Sequence, residues 1–181
     1  MRMYPLHDLY TLYKERLILS LFSKALPDVT KKITLEQMNL ALNFSESWDH
    51  CMDIGGGTGH YLAALSAKFK RATLVELEKH EEHAPLLASY KNIEFFNDFI
   101  EKYQTSSKPD FILLADLYEH IVDIQTFIPQ IAALQNVGGV VYIMTPNPVT
   151  CGPAPESNLY HTRKENGHIK HYTRNEICHL M

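Results

Sequence analysis

Apolar residues recur at helical spacing over residues 6–26, at Leu6, Leu9, Tyr10, Tyr13, Leu17, Leu19, Leu21 and Phe22, and Pro27 follows. A second helix is predicted from Thr34. There Thr-Leu-Glu-Gln has the form of a capping box, with Thr34 as N-cap, Gln37 at N3 and Leu35, Met38, Leu40, Ala41 and Leu42 as the apolar positions. From Asp49 the pattern changes. Short apolar runs at 50–54, 73–77, 93–96, 111–115 and 140–145 read as buried parallel strands. Helical stretches at 59–69, 81–88 and 124–134 separate them, the second carrying Pro85 inside it. A last helix is predicted to start at Thr173. This alternation predicts an α/β fold: an open, doubly wound sheet of mainly parallel strands with helices on both faces. Residues 1–45 form a helical segment ahead of it, so the division is 1–45 and 46–181. Ligands of such sheets bind outside the carboxyl ends of the strands, where the order of strands reverses.

Composition narrows the class. The 181 residues are 45% hydrophobic and 21% charged, as in an ordinary globular chain able to bury a core. A formal net charge of −4 argues against a nucleic acid or an anionic membrane as partner. The local basic cluster Lys68, Lys70 and Arg71 reads as a solvated helix end. Three cysteines, Cys51, Cys151 and Cys178, lie outside any CxxC pair, which argues against a disulfide framework and a zinc site and fits a reducing compartment. The N-terminus lacks an apolar leader, and no apolar run approaches the ~20 residues of a membrane span, so a cytoplasmic location is expected.

The chemistry concentrates after the first strand. Asp53-Ile54-Gly55-Gly56-Gly57-Thr58-Gly59 lies where a strand must turn into a helix. Glycines there permit positive φ and close approach of a ligand, and the helix N-terminus favours a carboxylate or a phosphate. Spacing separates the candidates. A dinucleotide fingerprint, G-x-G-x-x-G, would need glycine at His60 or Leu62, and a P-loop would need Gly-Lys-Ser/Thr, which is absent. A nicotinamide-dependent oxidoreductase is disfavoured on the same ground.

The D-x-G-x-G-x-G pattern resembles motif I of the class I S-adenosylmethionine-dependent methyltransferases. Three further stretches agree in order: Val75-Glu76, Phe95-Phe96-Asn97-Asp98-Phe99, and Asp110 to Ile121 with its Asp116-Leu117-Tyr118-Glu119-His120 core. Gly138 to Asn147 is similar to the glycine turn and fifth strand that follow in that family. The resemblance implies S-adenosylmethionine as cofactor, held by Asp53, Gly55, Gly56, Gly57, Gly59, Glu76, Asp98, Phe99 and Asp116. Glu76 would accept from the ribose hydroxyls. Asp98 would accept from the adenine amino group, and Phe99 would donate its N–H to the ring or cover its face. His120 is the candidate general base for an oxygen acceptor, against a purely structural Glu-His turn.

The Leu-Tyr-Glu-His-Ile stretch and the segment Gly167 to Ile177 most resemble the ubiquinone-biosynthesis type of small-molecule O-methyltransferases. The segment from Pro146 to Asn166, with Tyr160 and His161, is expected to border the acceptor, and residues 1–45 to act as its cover. A second resemblance, of Asp116, Glu119, His120 and His168 to the metal site of 2′-O-methyltransferases of RNA ends, would imply Mg²⁺ or Mn²⁺. The usual seven-stranded sheet of the family has two more strands than are predicted here. The fifth strand would then be an apolar edge, in a shortened chain, a non-catalytic relative, or one covered by another subunit such as a second copy.

Overall fold

The computed structural model describes residues 27–146 and 169–181. The helix expected over 6–26, the 147–166 loop with Tyr160 and His161, and His168 therefore lie outside the described residues. The chain divides into two compact units, Met1–Asn43 and Phe44–Met181.

In the first unit, α1 runs unbroken over Pro27–Leu42. Thr34 is thus interior to a helix and not its N-cap. Residues 28–33 contain no glycine or proline to stop a helix, and proline is well tolerated at a first helical position because its missing N–H has no partner there anyway. Thr34, Met38 and Leu42, four residues apart, are its buried positions.

The second unit is a five-stranded sheet: β1 (His50–Ile54), β2 (Arg71–Val75), β3 (Ile93–Phe96), β4 (Phe111–Ala115) and β5 (Val140–Met144). The order is β3-β2-β1-β4-β5, and every pairing is parallel. β1, β4 and four of the five residues of β2 are buried, which is why these runs are apolar without alternation. β2 begins two residues before the predicted 73–77, because Arg71 and Ala72 pair with His50 and Cys51. It ends at Val75 because the Glu76 side chain turns the chain there, accepting from the N–H groups of Leu77 and Glu78.

Between the strands lie α2 (His60–Ser66), α3 (His83–Ser89) and α4 (Ile124–Leu134), with α5 (Arg174–Leu180) closing the described chain. α2 packs on β1 and β2, and α3 on β3. α4 presents Ile124, Phe127, Ile128 and Ile131 to the face of the sheet that carries Met52, Ile54, Ile112 and Leu114. Strand side chains alternate between faces, so Cys51 and Asp53 point to the opposite one. Two 3₁₀ turns, Ile100–Lys102 and Tyr118–His120, follow β3 and β4. α5 starts as expected after Thr173, with Glu176 completing a capping box.

At the amino ends of the strands, Asp110 ties three elements. Its Oδ2 accepts from the N–H groups of Asp49 and His50 (2.8 and 3.0 Å), and its Oδ1 from Asn136 (2.8 Å). Burial alone would raise its carboxyl. Hydrogen bonds from Ser47, Asn136, His50 and Asp49 outweigh that and hold it below the ordinary range. The basic cluster is engaged locally: Lys70 with Asp49, Arg71 with Glu94, and Lys68 over the Trp48 ring. Among the described residues, no helix is long and apolar enough to cross a membrane.

Candidate functional site

The strand order reverses beside β1, between β2 and β4. The loops leaving the carboxyl ends of β1, β2, β3 and β4 hold His120 and every candidate cofactor residue except Asp53, which is the fourth residue of β1. The sheet therefore lines these groups along one edge, at the place where open α/β sheets take ligands.

The glycine loop is a tight reversal. Gly55 N–H extends the β1–β2 ladder to the Val75 carbonyl (2.8 Å), and Gly59 N–H closes a turn on Gly56 (2.9 Å). Gly57 and Gly59 have φ of +53° and +79°, which L side chains rarely adopt. Around Gly57 a Cβ would meet nothing within 4 Å, so that face of the loop is open. At Gly56, by contrast, a Cβ would lie 2.6 Å from the Asp53 carboxyl carbon, so the buried acid packs directly beneath the loop.

Asp53 is fully buried, and neither carboxylate oxygen has a hydrogen-bond partner. Desolvation, with a smaller push from the Glu76 charge, raises its carboxyl to about 7. Glu76 is half-buried and bridges two loops. Its Oε2 accepts from Gly57 N–H (2.8 Å), and its Oε1 from Leu77 N–H (2.7 Å) and Glu78 N–H (3.1 Å). The structure thus brings Asp53, Gly56, Gly57 and Glu76 together.

Asp98 and Phe99 follow Asn97 in the turn after β3. Asp98 pairs with Lys102 (2.9 Å) and accepts from Phe99 N–H (2.8 Å), and both contacts hold its carboxyl below the usual range. The N–H of Phe99 is thus donated to Asp98, and the residue is 55% exposed. Asp116 ends β4 with φ of +52°, the one described residue other than glycine in that region. Although its side chain reaches solvent, partial desolvation and then the Glu119 charge raise its carboxyl, and His120 opposes that.

Beyond Asp116, Tyr118 and Glu119 are buried, and Glu119 Oε2 accepts from Thr145 (2.9 Å). The Glu119 carbonyl accepts from the N–H groups of Ile169 and Lys170 (2.8 and 3.3 Å). Tyr172 stacks edgewise on Tyr118 at 4.9 Å. Among the described residues no group of three or more His, Cys, Asp or Glu is placed to hold a metal ion.

Two contributors escape a reading of the sequence. His83, buried, donates from Nε2 to the Gly57 carbonyl at 2.7 Å. Asn97 donates to the Glu76 and Leu77 carbonyls (2.9 and 2.7 Å), joining the loops after β2 and β3. A polar residue in a turn is the only local signal for Asn97, and His83 gives none.

The model of the "Methyltransferase domain" family matches residues 13–181. No curated protein matches the chain in sequence. Among solved structures, the chain is similar to the N-methyltransferase NodS from Bradyrhizobium japonicum WM9, at 19% identity and a TM-score of 0.63, covering 85% of this chain and 82% of that one. NodS in complex with S-adenosyl-L-homocysteine gives 18% and 0.62, with 87% and 76% covered. An O-methyltransferase family protein from Burkholderia thailandensis gives 17% and 0.65, covering 83% of this chain and 49%, about half, of its own length. At these identities the likeness shows a shared fold.

Proposed function

Because the chain belongs to the methyltransferase-domain family, we propose that it moves a methyl group from S-adenosylmethionine to an oxygen atom of a small-molecule acceptor. The observation that carries the reading is the Gly55–Gly59 loop, open at Gly57 and set at the switch point of the sheet. The cofactor's fit rests on this open cradle and on the partnerless Asp53 carboxyl beneath it.

When bound, S-adenosylmethionine supplies a methyl group already activated on a sulfonium. The chain's own residues then have three tasks. The loop and Glu76 hold and orient, the Asp98–Phe99 turn covers, and the Asp116–His120 turn meets the acceptor. Displacement at the methyl carbon requires attacker and leaving group in line, so positioning supplies most of the catalysis. A hydroxyl acceptor must also lose its proton. His120, in the turn after β4, is assigned that step, because a neutral imidazole nitrogen can accept a hydroxyl proton. The likeness of Leu117 to Ile121 and of Gly167 to Ile177 to the ubiquinone-biosynthesis type supports oxygen over nitrogen.

Two measurements test the proposal. Calorimetry with S-adenosylmethionine and the folded chain should show binding, and no heat at millimolar concentration would end the cofactor assignment. Transfer of a labelled methyl group to a panel of phenols, carboxylic acids and amines should then label the oxygen acceptors. Label confined to the amines would move the assignment to nitrogen.

A further inference from the structure

We propose that His83 is a positioning residue for the glycine loop, and that its hydrogen bond to the Gly57 carbonyl sets this loop to receive the cofactor. The proposal rests on the reading that the loop holds S-adenosylmethionine. A carbonyl oxygen can only accept, so His83 Nε2 carries the proton and donates at 2.7 Å. The His80 N–H, 3.4 Å from His83 Nδ1, points to the same tautomer.

The ring cannot swing away easily. It is 5% exposed, packs against Phe95 at 4.4 Å and meets the His80 ring at 5.2 Å. On the other side, Gly57 donates its N–H to Glu76 Oε2 at 2.8 Å. The two peptide groups flanking the Gly57 Cα are therefore tied in opposite directions, one by the end of β2 and one by α3. That fixes both soft torsions of the residue with the most freedom to lose. One turn along α3, Leu86 lies where a Cβ at Gly59 would come within 2.7 Å, so the same helical face covers the far end of the loop. A loop ordered before its ligand arrives loses less freedom on binding, which tightens the complex without a new ligand contact.

Glutamine can place an amide nitrogen about where Nε2 stands, whereas leucine fills the space and donates nothing. In calorimetry with S-adenosyl-L-homocysteine, His83→Leu should bind about tenfold more weakly than the wild-type chain, the worth of one hydrogen bond of ordinary net strength. His83→Gln should recover most of that loss. Unchanged binding by His83→Leu, with binding by the wild-type chain, overturns the role of His83 alone. Equal loss in both variants overturns the hydrogen bond in favour of packing. Absence of binding by the wild-type chain overturns the cofactor reading and this proposal with it. Should the leucine variant not fold, nitrogen NMR of the wild-type imidazole decides: a proton on Nε2 is expected, and an Nε2 without a proton overturns the proposal.

Discussion

Asp53 holds a proton in the folded chain up to about pH 7, whereas an ordinary aspartate loses it near 3.8. Between those values the folded state binds the extra proton, so this residue's contribution to stability falls as pH rises through the window. Asp53→Asn cannot ionise. The gap in melting temperature between variant and wild type, taken without ligand, should therefore widen in the variant's favour from pH 4 to 7. A constant gap would mean that Asp53 is charged in the fold. His120 is tested by turnover: His120→Ala should lower kcat by about 10²-fold or more once an acceptor is known, with cofactor binding retained. At this scale the turn of the glycine loop was legible, because a strand running into D-x-G-x-G-x-G announces its own geometry. His83 and Asn97 were not. Each acts on a backbone group about twenty or more residues away in sequence, and no periodic pattern encodes such a pairing.

The strands were the most legible elements. Apolar runs bounded by charged and turn residues mark β1 and β4, since burial on both faces leaves little else. Boundaries suffered where a side chain ends an element. The Glu76 carboxylate stops β2 at Val75, and a sequence window cannot see that bond. α1 misled differently: a capping signal at Thr34 lies inside a continuous helix, because the helix extends back to Pro27 and needs no start there. Asp110 binds elements that are far apart in the chain. Asp110→Ala would strand the N–H groups of Asp49 and His50 and the Asn136 amide near the edge of the sheet. It should cost about 3 kcal/mol in chemical denaturation, and a loss under about 0.5 kcal/mol would mean that water takes over those donors.

For the whole molecule, binding and stability are linked. A ligand at 100 times its Kd adds about 2.7 kcal/mol to a folded state that alone can bind it. For a chain of this size that raises the melting temperature by about 5 to 10 °C. S-adenosylmethionine should produce such a shift and a nicotinamide dinucleotide should not; the reverse result would return the loop to the oxidoreductases. One residue bears on how such a protein changes over time. Glu119 grips the chain twice, through its carboxylate on Thr145 and through its carbonyl on Ile169. Thr145 and Ile169 are thus fastened to one residue of the turn after β4. Doubling the length of a chain held at both ends costs only about 0.6 kcal/mol of closure entropy. A change in the number of residues joining these two anchors therefore costs little closure entropy. Selection can thus vary the length of that connection at a pace the rest of the fold does not share.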